Sequence, residues 1–126
     1  MKVLLDTHVF IWAIGQPPLL SKRAAALIED PANQVLVSAV SAYEIEFKRR
    51  RDPLLQALPA DLGEALDLAG FEWLPLLASH AIAAGRLPRL AGDPFDRMLA
   101  AQGLIEQATI LTRDPMVAAY GPVVAW

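Results

Sequence analysis

The chain has 126 residues, the size of one domain that buries about two-thirds of its unfolded surface. Hydrophobic residues make up 55% and the mean hydropathy is +0.35, which points to apolar surface covered by a partner, yet no run of 18 apolar residues is present to span a membrane. The net charge of −3 argues against a nucleic-acid partner on charge alone, and the absence of cysteine excludes disulfides and thiolate metal sites and suits a cytosolic protein.

In chain order, "KVLLD" (2–6) reads as a short buried strand ending in an acid. The opening "MKVLLDTHVFIWAIG" superficially resembles a leader, but Asp6 and His8 interrupt its apolar run and no cleavage site follows; "THVFIWAIG" is read as a helix closed by Gly15 and the Pro17-Pro18 loop. "SKRAAALIED" (21–30) is a helix with Ser21 as N-cap and Pro31 as stop, "QVLVS" (34–38) a second strand, and "SAVSAYEIEFKRRR" (38–51) a helix closed by its basic run and Pro53. "PADLGEALDLAG" (59–70) is a further helix, "FEWLPL" (71–76) a strand placed near an edge by Pro75, and "SHAIAAGRL" (79–87) a short helix. "DPFDRMLAAQGLIEQ" (93–107) is a helix, "ATILT" (108–112) a strand, "DPMVAAYG" a last short helix and "PVVAW" a fifth strand. No repeat, linker or low-complexity tract divides residues 1–126, so a single domain is expected.

Strands that alternate with helices and read as continuous apolar runs specify a parallel sheet covered on both faces, an α/β fold of four to five strands. Ligands of such sheets sit beyond the carboxyl ends of the strands. Asp6 ends the first strand, Glu44 lies in the first turns of the helix after the second, Asp93 and Asp96 open the long helix, and Asp114 follows the fourth strand.

Each acid has a structural alternative. Ser41-Ala-Tyr-Glu44 fits a capping box, and Asp93 and Asp114 each precede a proline as an N-cap would. Asp6 fits this account least, because an acid closing an apolar strand is costly to bury unpaired. Taken together, Asp6, Glu44, Asp96 and Asp114 converge on one crevice and would repel one another. Oxygen donors without a Cys or His cluster favour Mg²⁺ or Mn²⁺ as the neutralising charge, the makeup of a phosphodiester-cleaving site. Asp93 is then the helix cap and Asp96, one turn in, the ligand.

Four stretches, "LLDTHVFIWA", "VSAYEIEFK", "DPFDRMLAAQ" and "ILTRDPMVAAYG", resemble in order and spacing the blocks of PIN-domain ribonucleases of the VapC toxin type. The resemblance implies a three-layer α/β/α fold and a Mg²⁺- or Mn²⁺-dependent endoribonuclease leaving a 5′-phosphate and a 3′-hydroxyl. It carries the acidic quartet onto Asp6, Glu44, Asp96 and Asp114, with Thr112 and Thr7 in supporting places. It also implies a homodimer held inactive by a cognate VapB-type antitoxin whose C-terminal segment fills the groove. Tyr43 stands where the subgroup has tryptophan, Glu46 is an added acid facing away from Glu44, and "RRRDPL" is more basic than usual.

The remaining candidates have plainer readings beside the functional ones. "KRRR" (48–51), with Lys48 and Arg49, either contacts phosphate or solvates a helix end. Arg97 and Arg113 adjoin ligand acids and would neutralise a phosphate or the antitoxin's carboxylates, or pair with a neighbouring acid. His8 is read as a packing residue near the sheet, His80 as a surface or packing residue, and Trp12, Trp73 and Trp126 as core or dimer anchors in preference to RNA-stacking platforms. Two rivals to the nuclease remain: a haloacid-dehalogenase-type phosphatase, which needs a second acid where His8 stands, and a catalytically inactive module that keeps the acids as caps and binds a partner protein or RNA.

Overall fold

The computed structural model describes residues 1–90 and 93–126. Among them, five strands form one sheet: β1 (Lys2–Leu5), β2 (Gln34–Ser38), β3 (Glu72–Leu74), β4 (Thr109–Leu111) and β5 (Val124–Ala125). The order across the sheet is β3-β2-β1-β4-β5 and every pair is parallel. β3 is an edge strand, as expected, but it is shorter than the 71–76 reading and ends before Pro75. The helices are α1 (Thr7–Gly15), α2 (Lys22–Glu29), α3 (Ala39–Arg49), α4 (Pro53–Gln56), α5 (Leu62–Ala69), α6 (Ala78–Arg86), α7 (Pro94–Glu106) and α8 (Pro115–Ala119).

Alternation along the central strand sorts the two apolar layers. Val3 and Leu5 face one side with Phe10, Ile45 and Leu66, while Leu4 faces the other with Leu99, Ile110 and Val117. Val3, Leu4 and Leu5 are wholly buried, each contributing roughly 1.5–3 kcal/mol of burial. This is the three-layer α/β/α arrangement expected.

Several elements differ from the sequence reading for local reasons. α3 is capped by Ser38, whose hydroxyl accepts from the Val40 amide, so Ser41 lies inside the helix and the Ser41–Glu44 capping box does not form. Residues 59–61 are outside α5, which starts after Asp61 accepts the Glu64 amide, and ends at Gly70 in the left-handed conformation at φ 76°. α4 is an unforeseen single turn capped by Asp52, and Pro17–Leu19 forms a 3₁₀ turn instead of an open loop.

Register fixes what meets at the carboxyl edge. Leu5 pairs with Val37 on one side and Leu111 on the other, so Asp6, Ser38 and Thr112 follow side by side. α7 approaches β4 closely because Gly103 faces Ile110. A Cβ at Gly103 would lie 2.5 Å from Ile110 Cδ1 and 2.8 Å from its Cγ1. Gly103→Ala should therefore destabilise the fold by about 1–3 kcal/mol in urea denaturation, and adding Ile110→Val, which removes Cδ1, should recover part of that loss.

Candidate active site

β1 delivers Asp6 to the middle of the edge, where it is only 8% exposed. Its amide donates to the Leu111 carbonyl at 3.0 Å, and its Oδ2 accepts from Thr112 Oγ1 at 2.6 Å. Thr112 Oγ1 in turn accepts the Asp114 amide at 2.9 Å, and Asp114 Oδ1 caps α8 by accepting from Met116 at 2.8 Å. One hydroxyl thus ties two of the four acids together. On the other flank, Thr7 at the start of α1 donates to Ser41 Oγ at 2.8 Å, joining α1 to α3. Glu44, one turn beyond Ser41, is buried and pairs with Lys48 Nζ at 2.6 Å.

α7 brings the remaining acids. Asp93 is its N-cap and accepts the Asp96 amide at 2.8 Å, leaving Asp96 half-buried one turn inside. Asp6, Thr7, Ser41, Glu44, Phe95 and Asp96 line a cavity of about 10 Å³, the room of roughly one water-sized sphere.

The electrostatics follow from this crowding. Burial pushes Asp96 up to about 6, and the charges of Asp93, Asp114 and Asp6 push the same way against partial relief from the Asp93 amide. Burial also raises Asp6, and the Thr112 hydrogen bond opposes it. Lys48 is raised chiefly by its hydrogen bond to Glu44, with Asp93 and Asp96 adding to the effect.

The donor chemistry, carboxylates without cysteine or histidine, fits a hard divalent cation such as Mg²⁺ or Mn²⁺. As they stand, no three acidic or histidine side chains among the described residues are gathered tightly enough to enclose an ion. A cation would draw together groups that now repel one another.

The other candidates divide. Arg97 does not reach toward the acids: it donates to the carbonyls of Ala84, Leu87 and Pro88 at 2.8–2.9 Å and lies over the Tyr120 ring, closing the C-terminal end of α6. Arg49 donates to the Pro59 carbonyl at 3.0 Å and pairs with Glu46 at 3.3 Å. Arg113 is exposed beside Asp114, stacked over Trp12 and Trp126 at 5.8 and 5.9 Å. His8 is exposed and tilts against Trp12 instead of packing on the sheet. His80 is a fully buried packing residue: its Nδ1 accepts the Leu77 amide, so Nε2 carries the proton and donates to Glu106 at 3.1 Å. Ser41, a capping candidate in the sequence, instead joins the site through Thr7; its place three residues before Glu44, on the same helical face, is the sequence signal for it.

The raised Asp96 has a consequence for the cation-free protein. Its folded value of about 6 exceeds the ordinary 3.8, so the folded state holds this proton more tightly than the unfolded chain does. The resulting stabilisation is complete below about pH 4 and is lost as pH rises through 6. In EDTA, Asp96→Asn should therefore gain melting temperature relative to the wild type between pH 4.5 and pH 7, as read by circular dichroism; a constant difference across that range would contradict the crowding.

The family model described as PIN domain matches residues 3–121. Ribonuclease VapC22 of Mycobacterium tuberculosis (strain ATCC 25618 / H37Rv) is 28% identical over 138 residues, covering 98% of each chain. Among solved structures, VapBC2 from Rickettsia felis bound to a DNA fragment from its promoter shares the fold at a TM-score of 0.72 and 18% identity, covering 99% of this chain and 98% of that one. VapBC-5 from Mycobacterium tuberculosis shares it at 0.61 and 22%, covering 98% and 95%. With the family model spanning nearly the whole sequence and a parallel sheet that gathers acids at its carboxyl edge, the chain belongs to the PIN domain family.

Proposed function

We propose that this protein is a divalent-cation-dependent endoribonuclease and the toxin of a VapBC-type toxin–antitoxin pair. Membership of the PIN family and the likeness to ribonuclease VapC22 support the reaction class. The observation that carries the reading is the small cavity at the carboxyl edge of the sheet that Asp6, Glu44 and Asp96 all line, with Asp114 tied to Asp6 through Thr112. Helix capping alone does not require carboxylates from three separate elements to line one cavity.

Asp6, Glu44, Asp96 and Asp114 would hold Mg²⁺ or Mn²⁺. When bound, such a cation polarises the phosphate and makes water more acidic. Thr112 fixes the Asp6 carboxylate, and Thr7 with Ser41 holds α1 against α3 behind Glu44. Lys48, beside Glu44, and the exposed Arg113, beside Asp114, would meet backbone phosphates. In the reaction the oxygen of water forms a new bond to phosphorus and the bond from phosphorus to the 3′ oxygen breaks. Water gives up one proton as it bonds and the 3′ oxygen takes one up, leaving a 5′-phosphate and a 3′-hydroxyl. Donors aimed at the developing phosphoryl charge lower the barrier.

A groove of about 350 Å³ runs from Thr7 and Glu44 past Trp12 to Leu54, Leu55 and Leu58. Its largely apolar lining suits an apolar antitoxin segment. Exposed apolar residues elsewhere, such as Ile82 on α6, suit pairing of two copies.

Purified protein freed of antitoxin should cut end-labelled small RNAs at discrete positions in Mg²⁺ or Mn²⁺ and not in EDTA. Asp96→Asn should lower the rate by about 100-fold or more, whereas Asp93→Asn should keep most of it, because asparagine caps a helix as well as aspartate does. Folded wild-type protein that cuts no RNA with either metal would overturn the nuclease and favour a binding module.

A further inference from the structure

Tyr43 and Phe47 stand one turn apart on α3 with rings nearly parallel, 5.9 Å between centroids and 18° between planes. They are 60% and 66% exposed, although an i,i+4 aromatic pair gains little helix stability from staying in water. Phe95 continues the row, 6.0 Å from Tyr43 at 40°. Each end of that contact adjoins an acid of the site: Tyr43 precedes Glu44, and Phe95 precedes Asp96 and itself lines the small acidic cavity. Cations also border the row. Lys48 lies 5.9 Å over the Phe95 ring, and the exposed Arg50 and Arg51 border an open surface with Phe47. The two acids on that surface are already engaged, Asp52 as the cap of α4 and Glu46 with Arg49.

We infer that Tyr43, Phe47 and Phe95 form a stacking platform for unpaired bases of single-stranded RNA, leading the strand into the acidic cleft while Lys48, Arg50 and Arg51 follow its phosphates. This rests on the ribonuclease reading and assigns the residues that hold the substrate strand outside the acidic cleft. Exposed aromatic faces beside a basic track are the combination by which proteins hold single strands, since every base offers a π-face and every nucleotide a charge. A duplex keeps its bases stacked on each other and gains only the phosphate contacts. A second copy of this chain is a poorer occupant: a two-fold contact centred here would bring two basic runs together.

The test is fluorescence anisotropy of a fluorescein-labelled single-stranded oligoribonucleotide and of a blunt RNA duplex of equal length, in EDTA so that nothing is cut. Tyr43→Ala and Phe47→Ala should each weaken single-strand binding by about tenfold and leave duplex binding unchanged, and Tyr43→Trp should retain wild-type affinity. Helical circular dichroism verifies that α3 persists in each variant. Unchanged single-strand affinity in the alanine variants overturns the platform. So does an unchanged affinity accompanied by loss of a dimer in sedimentation, which would make this face an interface between copies, or by loss of antitoxin binding alone. The nuclease reading fails separately. If the platform variants bind normally while the wild type cuts RNA, only the platform falls; if the rings govern binding but no metal supports cutting, only the nuclease falls.

Discussion

The pairing of β1 with a parallel strand on each side is the constraint on which the rest of the molecule depends. It buries Val3, Leu4 and Leu5 completely, so the strand meets a polar environment only at its carboxyl end, where Asp6 stands. Parallel connection then obliges the following helices to begin at that same edge, and their amino ends carry partial positive charge suited to carboxylates. Asp93 and Asp114 use those ends as caps, and the acids one step away inherit the location. Position in the sheet, more than any single contact, gathers the carboxylates.

Holding them there requires anchors that lie outside the cleft. Gln102, nearly two turns beyond Asp96 on α7, accepts from Ser38 at the end of β2 and donates to the Pro75 carbonyl after β3. His80, in contact with Gln102, and the partly buried Glu106 carry this polar chain toward the surface, where Lys2 joins it from β1. The hydrogen bond from His80 is the main reason that Glu106 sits below the usual carboxylate range. The network fixes the height of α7 against the sheet, and with it the entry of Asp96 into the cavity. Arg97 performs a related task by closing the end of α6 against α7. The repulsion at the site is thus borne by satisfied hydrogen bonds around it, a common arrangement where function requires local strain.

How far the sequence could be read depended on whether a residue's role was local or relational. Apolar runs and proline or serine stops placed every strand and the long helices, because periodicity and capping are local signals. The turn at Pro53–Gln56 escaped because one helical turn carries no periodicity. Ser41-Ala-Tyr-Glu44 fits a capping box in sequence, but Ser38, which ends β2 and is tied to Gln102, takes the cap position one turn earlier. Arg97 looked available for phosphate because it adjoins Asp96 in sequence. On a helix, neighbours point about 100° apart, and the orphan carbonyls of α6 lay in its path. His80 and Gln102 meet only through the tertiary packing of α6 on α7, for which a single sequence offers no sign.

If these carboxylates form one cation site and not a set of independent caps, removing one that caps nothing must weaken the binding of a divalent cation. The most direct measurement is a calorimetric titration of Mn²⁺ into the antitoxin-free protein and into Asp6→Asn. Asp6 caps nothing through its side chain and is joined to Asp114 only through Thr112. Mn²⁺ should bind the wild type saturably, and this binding should be lost or weakened by at least about tenfold in Asp6→Asn, with both proteins equally folded. Equal Mn²⁺ affinity in the two, or none in the wild type, would contradict a single cation site.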